Sequence, residues 1–251
     1  MNNNPIGVFD SGLGGISVLN TCLALLPNEH YIYFGDSLHA PYGTKENQEV
    51  IDRCIAICDR FIEANVKAII VACNTATSVA IQVLRERYSI PIIGMEPALK
   101  VAAHNKENQN IIVMATPLTL KEKKFARLME NYANSNHILK LPCPNFVELV
   151  ESGLHNAQQQ VNNQIDVYKE QLEGRNIDSI VLGCTHFLFI KNEIANYFNY
   201  NVQLIDGNEG TARQLRHLLE IENNLGNHKQ KVEIHNSDES KLPLSYQLLD
   251  V

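Results

Sequence analysis

Short apolar, β-branched runs alternate with longer segments of helical period along this chain, and that alternation limits the fold more than any other feature. A strand buried on both faces needs no polar alternation, and a parallel neighbour is reached through a crossover helix. The pattern predicts strands at Ile6–Phe9, Tyr31–Phe34, Ala68–Val71, Ile92–Gly94, Ile111–Met114, Ile138–Leu141, Ile180–Leu182 and Val202–Ile205. Helices are expected over Ile16–Leu26, Lys45–Ala64, Thr75–Tyr88, Leu120–Asn134, Gln158–Glu173 and Phe189–Phe198. These strands could close a barrel, but the chain also echoes itself. IGVF leads into a loop and helix, and a later helix leads into AIIVACNT; IIVM leads into ATPLTLKEKKF, and a later helix leads into SIVLGCTH.

The echo predicts an α/β fold of two similar halves, each a mostly parallel sheet flanked by helices. Residues 1–97 with 207–251 form the first and 98–206 the second. The chain crosses near Gly94-Met95-Glu96-Pro97 and returns near Leu204-Ile205-Asp206-Gly207. Past Leu225 it turns polar, offers VEIHNS as a weak late strand and ends on LPLSYQLLDV, too short to assign.

A net charge of -7, with no run of Lys or Arg to follow a phosphate backbone, argues against nucleic acid as a partner. No stretch of about 18 apolar residues suggests a membrane span. The opening MNNNPIGVFDSG lacks a basic segment, apolar core and cleavage site, so a cytoplasmic location is expected. There the six cysteines, Cys22, Cys54, Cys58, Cys73, Cys143 and Cys184, should be free thiols. Cys54 and Cys58 share a helical stripe with Ile51, Ile55, Phe61 and Ile62 and read as buried packing.

Cys73 and Cys184 differ from the rest. Each follows an apolar strand and one small residue, and each precedes a Thr at an expected helix start. Ligands in open α/β sheets sit beyond the carboxyl ends of strands, near helix N-termini that supply free backbone donors. Either thiol alone reads as buried packing; two at matched strand ends suit removal of a proton from one face of a carbon and delivery of another to the opposite face. FDSGLGGISVL, from Phe9 to Leu19, is a strand-to-helix turn whose glycines let backbone approach a ligand; its spacing is not GxGxxG and no GK[ST] follows. FGDSLHAPYGTKE, from Phe34 to Glu46, is a plain Pro-Gly turn or a substrate-covering loop, and His39 within it carries no signal of its own. Close-spaced zinc ligands are missing from these motifs, so no metal is expected. Cys184 with His186 could be read as a cysteine hydrolase or transferase pair, which leaves Cys73 without a role. His186 could also be a cap, and Glu151 an exposed helix carboxylate.

DSGLGG at Asp10–Gly15, PYG at Pro41–Gly43, ACNTA at Ala72–Ala76, CPNFVELVESG at Cys143–Gly153 and GCTH at Gly183–His186 resemble the glutamate racemases in identity, order and spacing. The resemblance spans nearly the whole chain and implies two pseudosymmetric α/β domains with the active site in the cleft between them. It implies a cofactor-independent isomerase that interconverts L- and D-glutamate, supplies D-glutamate for peptidoglycan and forms a homodimer. It matches Cys73 and Cys184 to the two catalytic cysteines, Cys73 acting on D-glutamate and Cys184 on L-glutamate. Asp10 and Ser11, Tyr42 and Gly43, Asn74 and Thr75, and Thr185 and His186 match substrate-binding pairs, with Thr116 and Thr119 holding the substrate carboxylate from the second half. Asp10, Glu151 and His186 match groups that assist the thiols or orient the substrate.

Two departures stand out. The family often follows GCTH with an aromatic and then Pro, where this chain has Phe187-Leu188-Phe189, and Gly207 stands where Ser is common. Enterobacterial members carry an N-terminal extension linked to control by a cell-wall precursor, and the early first strand implies that this control is missing here. An aspartate or broader amino-acid racemase is the near alternative, although His186 favours glutamate because aspartate enzymes tend to place an acidic residue there. A noncatalytic amino-acid-binding module is the remaining one.

Overall fold

The computed structural model describes residues 1–95, 98–104, 107–227 and 229–250, with the backbone alone at 104 and 124. Its first strand, β1 (Ile6–Asp10), is buried at every residue, as a central parallel strand must be. The chain continues through α1 (Ile16–Leu25), β2 (His30–Gly35), α2 (Asn47–Glu63), β3 (Ala68–Val71), α3 (Asn74–Arg87) and β4 (Ile92–Gly94). Then come α4 (Leu99–His104), β5 (Asn110–Ala115), α5 (Pro117–Lys121), α6 (Lys123–Ala133), β6 (His137–Pro142), α7 (Asn145–Glu151), α8 (Ala157–Asp166) and α9 (Lys169–Leu172). The last elements are β7 (Ser179–Leu182), α10 (Lys191–Tyr197), β8 (Gln203–Ile205), α11 (Asn208–Ile221), β9 (Lys231–Asn236) and α12 (Leu242–Gln247).

These strands form two separate sheets, in orders β4-β3-β1-β2-β9 and β6-β5-β7-β8, and every pairing is parallel. The fold is thus α/β with helices on both sheets, and a single closed barrel is ruled out. In the first sheet, α1 and α11 cover one face through Ile16, Leu19, Leu23, Ala212, Leu215 and Leu219. Helix α2 covers the other with Val50, Cys54, Ile57, Cys58 and Phe61, a spacing that keeps one stripe inward. Each such side chain taken fully from water stabilises the fold by roughly 1.5–3 kcal/mol, less for the small cysteines. Ile62, expected on that stripe, is instead 40% exposed. Beta strand β7 lies beside β5 in the second sheet as β3 lies beside β1 in the first, so Cys73 and Cys184 leave equivalent strands.

All eight expected strands form, and VEIHNS forms too, as the edge strand β9 paired with β2. The helices differ more. The segment expected as one helix over Leu120–Asn134 breaks at Glu122, whose ψ of 132° is extended, because Thr116 caps and Pro117 starts a separate short α5. Gln158–Glu173 divides into α8 and α9 at Val167 and Tyr168, a turn with no extended residue. Phe189–Phe198 is a 3₁₀ turn over Thr185–Ile190 that passes into α10 at Lys191. Helices α4, α7, α11 and α12 add to the expected set. Of the crossing near Gly94–Pro97, Glu96 and Pro97 lie outside the described residues. Among those described, no helix is long and apolar enough to cross a membrane.

Candidate active site

Both sheets point the carboxyl ends of their central strands at one buried region. From the first, β1 ends on Asp10 and β3 leads to Cys73. Cys73 is the N-cap of α3, a 14-residue helix, and its Sγ accepts a hydrogen bond from the Ala76 N–H at 3.4 Å. Its thiol donates to Ser11 Oγ at 3.7 Å. Burial pushes the Cys73 thiol well above its ordinary pKa, the Asp10 carboxylate adds to that, and the Ala76 N–H only partly offsets it. A charge on Cys184 raises it further, which means that the two sulfurs share one electrostatic space.

Cys184 stands before the 3₁₀ turn rather than a regular helix and makes no capping bond. Its partner is His186, with Nδ1 at 3.8 Å from Sγ. On its other side, His186 Nε2 lies 2.8 Å from Glu151 Oε1, and that oxygen also accepts the Leu13 N–H at 2.6 Å. Burial opposes charge on the imidazole, but Cys184, Glu151 and Asp10 together outweigh it and hold its pKa well above the ordinary histidine value. Burial likewise raises Glu151, but the His186 contact and the Leu13 N–H more than reverse this and leave its pKa lowered. The two shifts favour charge on both His186 and Glu151, and Glu151 is 11% exposed at its side chain rather than an open surface acid.

The Asp10–Ser11 turn lies between the thiols. Thr185 Oγ1 donates to Asp10 Oδ1 at 3.3 Å, and Asp10 Oδ2 is 3.9 Å from His186 Nδ1. Gly12 and Gly14 permit this approach: a Cβ on Gly12 would strike Glu151, and one on Gly14 would strike His186 and Thr185. A second bridge joins the halves through three buried hydroxyls. Thr75 Oγ1 is 3.0 Å from Thr116 Oγ1 and 3.1 Å from Thr119 Oγ1, and the latter two are 3.0 Å apart. Gly43 packs against Thr116, and Asn74 and Thr119 bound a groove of about 460 Å³ shared with Met95, Lys123 and Phe125. A larger cavity of about 680 Å³, between α1, α10 and the final residues, includes neither thiol and lies behind the site.

Every expected site residue thus falls in or beside this region. Two others emerge only in three dimensions. Asp36 accepts hydrogen bonds from Tyr42 Oη at 2.6 Å and from Arg53 Nε and Nη2 at 2.9 and 2.7 Å. It thereby fixes Tyr42, which is 1% exposed. Asp36 lies inside the GDSLHAPYG loop, but Arg53 sits on the outer run of α2 with no local signal. His39 joins this cluster, 2.9 Å from Asp36 Oδ1. Burial raises the Asp36 pKa, and the Arg53, Tyr42 and His39 contacts bring it below the ordinary value. Among the described residues no group of three or more His, Cys, Asp or Glu side chains is placed to share a metal ion.

The family model for Asp/Glu/hydantoin racemases matches residues 6–215. The chain belongs to that racemase family. Its members are isomerases, and the relatives narrow the branch. A glutamate racemase of Clostridium acetobutylicum is 48% identical, over 99% of this chain and 98% of its own. One of Bifidobacterium animalis subsp. lactis is 49% identical, over 98% of each. Among solved structures, Escherichia coli glutamate racemase with L-glutamate and the activator UDP-MurNAc-Ala superposes with a TM-score of 0.85 at 30% identity, covering 98% of this chain and 95% of that one. The Francisella tularensis enzyme with D-glutamate gives 0.84 at 28% identity, covering 100% and 95%. The racemase fold therefore extends over the whole chain, including the late edge strand β9 and helix α12.

Proposed function

We propose that this chain is a glutamate racemase that interconverts L- and D-glutamate without a cofactor, by proton transfer between its substrate and two thiols. One observation carries the reading: Cys73 and Cys184 end equivalent strands of two facing sheets, with the Asp10–Ser11 turn between them. With L-glutamate bound, a Cys184 thiolate takes the α-proton and becomes a thiol. The resulting carbanion-like species takes a proton from the Cys73 thiol on the opposite face, leaving D-glutamate and a Cys73 thiolate. The reverse direction exchanges the two roles.

The α-proton is weakly acidic, so the site must stabilise developing charge with preorganised donors. Asn74, Thr75, Thr116, Thr119 and Thr185 fit the substrate carboxylate, because the three bridging threonines can turn their hydroxyl protons toward an anion. Tyr42 and Gly43 close over it, while Asp10 and Ser11 hold the ammonium end. Glu151 keeps His186 charged, and His186 faces the charge formed at Cys184. With the thiols only 5% and 7% exposed, substrate entry requires the halves to part. The reading includes domains divided at about residues 97 and 207, a cytoplasmic homodimer, and delivery of D-glutamate to peptidoglycan synthesis.

The test is incubation of the purified protein with L-glutamate in deuterated buffer, followed by proton NMR and polarimetry, with L-aspartate run in parallel. Glutamate should lose its rotation as deuterium enters the α-position. No exchange with glutamate sinks the proposal, and faster exchange with aspartate moves the substrate to that acid.

A further inference from the structure

The C-terminal segment reaches across to the opposite half of the site. Strand β9 ends beside the loop that carries Tyr42: Asn236 Nδ2 donates to Ser37 Oγ at 3.0 Å, and Leu38 N–H to Ser237 Oγ at 3.0 Å. The 3₁₀ turn Glu239–Lys241 follows, held by Asp238, which accepts from the Ser240 N–H at 3.0 Å and from Ser240 Oγ at 2.7 Å. Helix α12 then packs Leu242 and Leu244 against the first core, joined by Leu248 just past its end. Lys241 is fixed at the centre of this segment. Its N–H donates to Asp238 O at 3.0 Å, and its own carbonyl accepts from Ser245 Oγ at 2.9 Å.

From that anchored backbone the Lys241 side chain extends to the other half, where Nζ donates to the carbonyl oxygen of Glu151 at 2.8 Å. Glu151 is the last residue of α7. A cation at a helix C-terminus satisfies a carbonyl left without an intrahelical donor and meets the negative end of the peptide dipoles. The consequence is specific to one thiol. The same Glu151 sends its carboxylate to Leu13 N–H and His186, and His186 faces Cys184. Contacts therefore run Lys241 to Glu151 to His186 to Cys184.

We propose that Lys241 is a positioning residue for the Cys184 side of the site: it pins the end of α7 so that the Glu151 carboxylate stays against His186 when the halves close. This rests on the racemase reading above, and the two fail separately. If wild-type protein exchanges no α-proton, the racemase reading falls; if it does exchange and Lys241 has no effect, only this proposal falls. A static tie that merely adds stability would leave the chemistry unchanged. A positioning residue moves it, since a small displacement of a group in the proton path is felt in kcat.

The groups facing His186 are Cys184, Glu151 and Asp10, and the charged groups on the turn of Lys241 are Asp238, on which it acts, and Glu239. Lys241→Met should lower kcat on the order of tenfold, with KM changed less. It should also shift the alkaline limb of the kcat profile to lower pH, because a loosened Glu151 no longer holds the imidazolium. Lys241→Arg, which keeps the cation and its donors, should restore both readouts. In a Glu151→Gln background, Lys241→Met should add almost nothing, because residues acting through one contact are not additive. Wild-type kcat and pH profile in Lys241→Met overturn the proposal, as does its full effect persisting beside Glu151→Gln. Thermal melts accompany the kinetics and Lys241→Ala is the second variant. Loss of the folded state in both makes Lys241 a structural tie and also overturns it.

Discussion

Cys73 and Cys184 leave matched strands and arrive in different surroundings. Cys73 caps a 14-residue helix with its sulfur and meets a neutral hydroxyl, Ser11, beside the Asp10 carboxylate. Cys184 precedes a 3₁₀ turn, caps nothing and faces His186, which is held by Glu151 and whose pKa is raised. The repeated phrase of strand, small residue, Cys and Thr is thus symmetric in the backbone and asymmetric in charge. The two proton carriers proposed above, working in opposite senses, need not be equal. The Cys73 environment favours the neutral thiol, whereas the neighbour of Cys184 is a histidine whose pKa burial lowers and its charged partners raise well above the ordinary value.

The largest effects test what the two halves share. Cys73→Ser and Cys184→Ser should each lower the rate of racemisation by on the order of 10²–10⁴, the usual range for a positioned acid or base. Equal losses would make the thiols equal partners. Full activity in either variant would break the comparison, because one thiol would then suffice.

The next variant tests the asymmetry. His186→Gln should lower kcat by about 10–100-fold, whereas Ser11→Ala, its counterpart beside Cys73, should cost only a few-fold, since a charged partner is worth more than a neutral one. The stability profile carries the same sign. His186 has its pKa raised by folding, so its contribution is complete below the unfolded value of about 6.5 and is lost as pH rises through the folded one. Glu151 has its pKa lowered, so its contribution is present above about 4.3 and is lost as pH falls through the folded value. Wild-type protein should therefore lose stability above about pH 6.5 in denaturant titrations, by an amount that His186→Gln no longer shows. The same slope in both proteins would remove the imidazolium from the account.

A smaller effect tests the bridge between the halves. Thr116→Val removes one of three hydroxyls that meet at 3.0–3.1 Å, and it should raise KM for glutamate about tenfold with kcat changed less, as expected for one lost hydrogen bond to a charged group. Unchanged KM would leave the threonines as an interdomain contact alone.

Much of this was legible in the sequence, because parallel strands announce themselves as apolar runs and the residues at their ends are local to those runs. The phrases around Asp10, Cys73 and Cys184 mark the candidate site at strand ends from local sequence alone. What escaped was long-range or weakly periodic. Arg53 and Asp36 are 17 residues apart and meet only because α2 folds back over the loop. Lys241 sits in a polar stretch that carries no helical period, and its contact with Glu151 spans 90 residues. Helix α11 follows a strand of only three residues, so the end of the second sheet offered little to mark its start. Two expected helices divided because continuous apolar spacing does not reveal where a backbone breaks, whether it turns extended as at Glu122 or only makes a turn as at Val167 and Tyr168.

The smallest effects come from a second thiol in each half, and they decide whether position or residue type makes a cysteine reactive. Cys54 lies under Tyr42 in the core that includes Cys73, and Cys143 lies in the core that includes Cys184; both are fully buried. Burial pushes both thiols well above their ordinary range, and neither ends a strand at the Asp10–Ser11 turn. Cys54→Ala and Cys143→Ala remove one sulfur from a packed interior, which should cost about 1 kcal/mol each in denaturant unfolding. The Cys143 variant should lose slightly more, since its thiol donates to Leu141 O at 3.3 Å. Racemisation should stay within about twofold of wild type in both, as core changes that preserve the fold leave the site intact. A large loss of turnover in one half only would mean that its buried thiol takes part in the proton path, and the asymmetry between the halves would then reach deeper than His186.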